Sequence, residues 1–228
     1  MGAVLAMRPI FILFPVFLFG LLAACGTSSN QQSVQIARGL LAGALGGGAP
    51  PQDPRVVLSR EVIDRAQTPL ILVDTLQLSG SGTMLSTGRA GRYSSWAGRD
   101  QAGIVLLDDG LLTATRGYGG DLISADVDAV VEALRSGDGA IAVRVMRYID
   151  GEDDDYTRSM VCSFSDAGRE VITIFDRDIS TRALVEDCQS SREDIRNRYW
   201  IGSDGFIWRS IQYAGPELGY FQIERLFR

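Results

Sequence analysis

Apolar residues along the chain follow two periods, one helical and local, the other strand-like and dominant. Ser59 followed by Arg60-Glu61-Val62-Ile63-Asp64-Arg65 has the form of an N-cap and two helical turns. Thr68-Pro69 stops that helix, because a residue before proline is pushed out of the α region. From Leu70 the period shortens. Leu70–Leu78 is rich in Leu, Ile, Val and Thr, and Ser79-Gly80-Ser81-Gly82 ends it. Gly103–Leu107 and Leu111–Arg116 flank Asp108-Asp109-Gly110, which predicts a hairpin. Ser124–Arg135 interrupts the strands: Val127, Val130, Val131 and Leu134 recur at helical spacing, and Ser136-Gly137 ends the run. Ala140–Tyr148 alternates, with Ile141, Val143 and Val145 on one face. Arg158–Phe164 and Glu170–Phe175 follow, separated by Asp166-Ala167-Gly168. Asn197–Ile201, a turn at Ser203-Asp204-Gly205, Phe206–Tyr213 and Tyr220–Phe227 close the chain, and alternation sets Phe206 and Trp208 opposite Ile207 and Ile211. Strands joined by short Gly/Asp turns predict a mainly β domain. Its antiparallel sheet curls into a half-barrel or packs on itself like a sandwich, with a few short helices.

The N-terminal pattern is of another kind. Pro9–Leu22 carries no charge, Arg8 stands before it, and Leu22-Ala23-Ala24-Cys25 closes it. A positive start, an apolar core and small residues at the cut make a secretory signal. The core falls short of the roughly 20 apolar residues of a membrane span, although Met1–Met7 could lengthen it. Met7 is a second candidate start, which would place Arg8 next to it. A cysteine at this point resembles the lipobox of bacterial lipoproteins. The resemblance implies a diacylglycerol on the Cys25 thiol, cleavage before it and acylation of the new N-terminus. The division expected is a signal peptide over 1–24, a lipidated N-terminus and flexible tether over 25–58, and a single β-rich periplasmic domain over 59–228. Gly26–Gln35 is polar and uncharged, suited to a tether. Val34–Leu45, interrupted by Gly39 and Gly43, predicts a weak short helix, and a loop runs through Ala49-Pro50-Pro51.

Composition narrows the chemistry. The formal net charge is -6 and becomes -7 once Arg8 is removed with the signal, which argues against nucleic acid and against adhesion to anionic lipid. All 22 basic residues are arginine, with no lysine and no histidine. A Ser-His-Asp triad, a Cys-His pair and a histidine zinc site are therefore excluded, as are a Schiff-base lysine and a Walker-type phosphate lysine. Carboxylates, Tyr, Ser/Thr and Arg remain, and neither cofactor nor metal is expected. With Cys25 given to lipid, Cys162 and Cys188 are left, and in an exported protein such a pair points to a disulfide. It would close a loop of 27 residues, 162 to 188 inclusive, worth about 3–4 kcal/mol in the chain-entropy picture.

Three constellations could carry chemistry. Asp150, Glu152, Asp153, Asp154 and Asp155 could hold a cation through oxygen ligands, but they lack the spacing and late glutamate of an EF-hand and fit a solvated hairpin tip better. Paired carboxylates could serve a glycosidase, a weak signal among 28 acidic residues. Arg92, Trp96 and Arg99, beside Arg89 and Tyr93, form a basic-aromatic segment able to grip an anionic sugar. Tyr199, Trp200, Trp208 and Tyr213 offer aromatic faces for a glycan or a partner, although strands bury aromatics routinely.

The C-terminal block, Asn197-Arg198-Tyr199-Trp200-Ile201, then Ser203-Asp204-Gly205, then Arg209-Ser210-Ile211-Gln212-Tyr213 and Gly215, resembles the YjbF/GfcB-type lipoproteins of group 4 capsule and exopolysaccharide clusters. Trp96, Gly110-Leu111-Leu112, Gly120-Asp121-Leu122-Ile123 and Tyr156-Thr157-Arg158 fit the same pattern, and Cys162 with Cys188 departs from it. The resemblance implies an outer-membrane lipoprotein facing the periplasm. It would be a non-enzymatic accessory to polysaccharide production or export beside an outer-membrane β-barrel or secretion component, binding that partner or the polysaccharide itself. Gly26 rather than aspartate after Cys25 fits sorting to the outer membrane. A carboxylate-based glycan-modifying enzyme, and a carrier of lipid or lipoprotein in a curved half-barrel, are the alternatives.

Overall fold

The computed structural model describes residues 53–107, 110–149 and 154–227. The signal, Cys25, the tether up to residue 52, the Val34–Leu45 segment and acidic residues 150–153 lie outside the described residues. Two short helices, α1 (Pro54–Val57) and α2 (Arg60–Ala66), precede five strands: β1 (Leu70–Thr75), β2 (Gly80–Ala90), β3 (Tyr93–Ala97), β4 (Gly103–Leu107) and β5 (Leu111–Arg116). Then come β6 (Leu122–Asp126), α3 (Asp128–Ser136), β7 (Ile141–Ile149), β8 (Asp155–Ile174), β9 (Arg177–Gln189), β10 (Asp194–Gly202), β11 (Ile207–Gly215) and β12 (Gly219–Phe227). All twelve strands form one antiparallel sheet in the order β5-β4-β3-β2-β1-β12-β11-β10-β9-β8-β7-β6. β1 inserts beside β12 and joins the N-terminal meander to the C-terminal one.

The sheet curls until its edges meet. Side chains bridge the seam between β5 and β6: Thr115 Oγ1 accepts from the Leu122 amide at 2.9 Å and donates to Asp121 Oδ1 at 2.7 Å. The result is a nearly closed barrel, of the mainly β, curled and antiparallel kind that the strand pattern predicts. Its walls touch across the inside. Gln212 of β11 donates to the Gly110 carbonyl at 2.9 Å and accepts from the Leu112 amide at 2.9 Å. Side chains of opposite walls thus meet in this interior.

Both faces of the sheet carry a core. Ile71 and Val73 of β1 join the inner cluster with Met146, Tyr148, Phe164, Leu184 and Phe221, while Leu70 and Leu72 of the same strand belong to an outer cluster. The outer cluster is covered by Leu58 and Ile63 from the α1–α2 segment and by Ile172 and Ile174 from the far half of β8. Alternate residues bury at roughly 1.5–3 kcal/mol per large apolar side chain, which fixes the register of β1 on two sides. Ser59 Oγ accepts from the Val62 amide at the start of α2, as its N-cap pattern predicts. Gln67 ends that helix in the left-handed conformation, φ 44°.

Pro54–Leu58, expected as the end of the tether, is already packed on the sheet. Arg55 anchors it, with Nη1 2.9 Å and Nη2 2.7 Å from the two Asp74 carboxylate oxygens, and Nη2 3.1 Å from Glu224. Burial pulls the Asp74 carboxyl up, but hydrogen bonds from Arg55 and Ser81 outweigh it and hold the group below its ordinary value of 3.8. A carboxyl depressed on folding stabilises the fold above that ordinary value, and the contribution is lost as pH falls through its folded value. Asp74→Asn should therefore flatten the loss of stability below about pH 4, read as urea midpoints from pH 6 down to pH 2. An unchanged acid limb would refute the link.

The structure also departs from the sequence pattern. Gly80–Ala90, Tyr93–Ala97 and Arg177–Gln189 are strands that the pattern leaves as loop or unassigned. Arg158–Phe164 and Glu170–Ile174 belong to one long strand, interrupted by a β-bulge at Asp166/Gly168 where Gly168 has φ 93°, and Phe175 already lies in the turn that follows. The helix expected from Ser124 begins at Asp128, because Leu122–Asp126 pairs with β7. Ile141 and Val143 occupy the exposed face of β7, at 73 % and 50 % exposure, while Ala142, Arg144, Met146 and Tyr148 face inward. In β11 a register shift opposite Trp200/Ile201 places Ile211 with Trp208 and Phe206, not with Ile207.

Candidate functional site

Antiparallel register gathers five polar side chains inside the barrel. Arg144 of β7, Glu186 of β9, and Asn197 and Tyr199 of β10 are at most 1 % exposed, and Gln212 of β11 is fully buried. Arg144 and Glu186 form a bidentate pair, Nε–Oε1 3.0 Å and Nη2–Oε2 2.9 Å. Tyr199 donates its hydroxyl to Glu186 Oε2 at 2.6 Å and accepts from Arg144 Nη2 at 3.0 Å. Asn197 Nδ2 donates to Glu186 at 2.8 Å, and Asn197 Oδ1 accepts the Tyr213 amide at 2.8 Å. Burial pulls Arg144 toward its neutral form, and Glu186 more than offsets this and raises it. Burial pushes the Tyr199 phenol up, and the adjacent Glu186 carboxylate pushes it further. The network is charged, satisfied and sealed from solvent. It orders the core and offers no proton to a ligand.

Cys162 and Cys188 face each other across β8 and β9 in the same interior and are joined by a disulfide. Glu186 Oε1 lies 3.4 Å from Cys188 Sγ. With both sulfurs spent in the bridge, the Cys162, Glu186 and Cys188 cluster is not a metal site.

The aromatics expected to meet a glycan or partner are buried. Trp96 packs in the inner cluster, its indole donating to Ser94 and its ring stacked under Arg225. Tyr199 holds the interior network. Trp200 and Trp208 lie in the outer cluster, Trp200 under Arg198 and Trp208 under Arg177. Tyr213 is buried and donates to Glu193 Oε2 at 2.6 Å; burial first, then that bond, raises its phenol. None of the five presents an open ring face, because each lies where the sheet has a core on that side. Arg92 is exposed and pairs with Asp128 at 2.7 Å, and Arg99 is exposed at the end of β3. The expected basic-aromatic grip is thus dismantled: its tryptophan points inward.

An open cleft of about 880 Å³ lies elsewhere, between α3, the far half of the β8–β9 hairpin and the β10–β11 turn. Val131, Leu134, Ile201 and Ile207 give it an apolar floor. Ser180 and Ser203 supply hydroxyls, and Arg135, Arg169, Arg182, Glu170 and Asp204 supply charge. Glu170 is already engaged, ion-paired with Arg198 and accepting the Trp200 indole N–H at 2.6 Å. The Ser203-Asp204-Gly205 turn belongs to the cleft, whereas Arg169 and Arg182 sit on strand segments that sequence reasoning did not mark. Only the pairing of β8 with β9 brings these two together.

A nearly closed β domain behind a lipobox-like Cys25 defines the build of a tethered lipoprotein, and comparison makes this specific. A family model described as "Group 4 capsule polysaccharide lipoprotein gfcB, YjbF" matches residues 27–226, so the chain belongs to that family. The uncharacterized lipoprotein YjbF of Escherichia coli K12 is 28 % identical over 132 residues, 57 % of this chain and 60 % of that protein's length. The crystal structure of the hypothetical lipoprotein YmcC from Escherichia coli K12 superposes with a TM-score of 0.67 at 18 % identity, over 75 % of this chain and 89 % of that one. At that identity the likeness concerns the fold.

Proposed function

We propose that this protein is anchored through Cys25 at the periplasmic face of the outer membrane. There it assists production or export of a capsule-type polysaccharide without catalysing a reaction, by holding a segment of the glycan in the cleft beside α3. The observation that carries the reading is the family match across residues 27–226. The chemistry supports it: histidine and lysine are absent from the chain, and Glu170 in the cleft is occupied by Arg198 and Trp200. An apolar floor beside hydroxyl and guanidinium groups suits a sugar ring, which has one apolar and several polar edges.

Deletion of the gene should lower surface polysaccharide, and the wild-type chain should restore it. Cys25→Ser should fail to take up a clickable palmitate analogue and should restore little. Full restoration by unlipidated Cys25→Ser would refute the anchor. New reducing ends after incubating the purified chain with the polymer would refute the non-enzymatic reading.

A protein partner is the second reading, favoured by the exposed apolar row Ile141, Val143 and Val161 on β7 and β8, where Val143 and Val161 are directly opposed. An outer-membrane β-barrel or secretion component would cover it. Co-purification in mild detergent should recover such a protein with the wild-type chain and lose it with Val161→Asp.

A further inference from the structure

Arg169 and Arg182 are direct cross-strand partners in the β8–β9 register, so their side chains leave the same face side by side. Like charges set opposite one another in a sheet are destabilising. Little in the fold neutralises this pair. Among the described residues the Arg169 side chain has no hydrogen bond or ion pair. Arg182 is held loosely, its Nη2 3.4 Å from the Leu134 carbonyl and its Nε 4.0 Å from Asp166. Gly137 keeps space for it: a Cβ there would stand 3.0 Å from Arg182 Nη2. The other charged groups of the cleft have partners of their own. Arg135 pairs with Glu132, Glu170 is consumed from behind by Arg198, and Asp204 caps its own turn by accepting the Phe206 amide. A protein of net charge -6 thus sets two arginines side by side in its open cleft, with Asp166 in loose contact with one of them.

We infer that the Arg169–Arg182 pair is an anion clamp that selects acidic sugar residues, gripping a carboxylate or phosphate on the glycan while the ring rests on Val131, Leu134 and Ile207. Two guanidinium forks converging from adjacent strands can each give paired N–H donors to one anionic group. The anion would also relieve the repulsion between the two arginines, so binding should stiffen the hairpin that carries them. This rests on the glycan reading above and adds the sign of the ligand's charge.

The test uses the full lipidated chain in detergent micelles and the capsular polysaccharide purified from the bacterium that carries the gene. Three forms of the polymer are titrated by calorimetry: native, carboxyl-reduced, and dephosphorylated. The native form should bind, and removal of whichever anionic group is recognised should weaken binding by about tenfold or more, the usual scale for losing a charge-assisted pair. Which treatment does so identifies carboxylate or phosphate. Raising salt from 50 to 500 mM should weaken binding of the native form alone. Arg169→Gln, which breaks no side-chain hydrogen bond or ion pair in the fold, should reproduce the loss. Arg182→Gln should do the same, while Arg196→Gln, outside the cleft, should not. Equal binding of all three polymers would overturn the anion clamp and leave glycan binding standing. Absence of binding by all three would overturn both.

Discussion

Glu186→Ala is expected to destabilise the domain by about 3–5 kcal/mol, the scale for stranding one member of a buried ion pair. Three partners lose their acceptor at once: the Arg144 guanidinium, the Tyr199 hydroxyl and the Asn197 amide, all in the closed interior. Each orphaned donor keeps its desolvation cost without its bond. Stability of a domain is typically 5–15 kcal/mol, so one substitution would remove a large part of it. Urea denaturation followed by tryptophan fluorescence measures the change. The pair itself is a different matter from its rupture. Replacing both ends, Arg144→Met with Glu186→Leu, removes the charges and their desolvation together, and it should recover much of the loss. Tyr199 and Asn197 would still lack Glu186, so recovery should be incomplete. A single-variant cost below about 1 kcal/mol, the range of an exposed pair, would mean that water reaches the network and that the interior is not sealed.

The same network shows where the sequence could and could not be read. The β4–β5 hairpin, the N-cap of α2 and the strands of the last third are local patterns, and each is written within a dozen residues. β2, β3 and β9 are not. β2 is rich in Gly, Ser and Thr, and β9 sets most of its charges in adjacent pairs, Arg177-Asp178 and Glu186-Asp187, so neither has the apolar period that marks a strand. Their stability comes from neighbours on both sides in the sheet. The two faces of β7 are misleading for the same reason: Arg144 is admitted to the interior only because Glu186 waits there from β9, forty-two positions away. Seen alone, Ile141 and Val143 look like the core face and Arg144 like the solvent face. The anion clamp was illegible on the same ground. Arg169 and Arg182 are unremarkable in order along the chain, and only the register shift at the Asp166/Gly168 bulge sets them opposite one another. Aromatic residues fail as site markers because closure of the sheet buries the inner ones, and the α1–α2 segment with the far half of β8 buries Trp200 and Trp208 on the outer face.

Loss of the disulfide is expected to have the next largest effect. Cys162→Ala with Cys188→Ala should cost about 3–4 kcal/mol if the bridge acts by restricting the unfolded chain. The folded hairpin should keep its register, because the two residues are already opposed by the strand pairing and surrounded by the inner cluster. The loss should therefore appear as a lower denaturation midpoint with unchanged near-ultraviolet dichroism, and wild-type protein unfolded in a reductant should match the double variant. Equal midpoints for oxidised and reduced wild type would sink the proposal. The neighbourhood adds a coupling that the loop length does not contain. Glu186 lies 3.4 Å from Cys188 Sγ, so truncating the cysteines also opens space beside the buried carboxylate. The effects of Glu186→Ala and of the cysteine pair should consequently fall short of adding, by more than the roughly 0.5 kcal/mol seen between distant sites. The bridge clamps the interior half of the hairpin, while Arg169 and Arg182 lie beyond the bulge at Asp166/Gly168. Binding in the cleft should then survive reduction at temperatures where the domain remains folded, which separates the part of the hairpin that holds the fold from the part that faces a ligand.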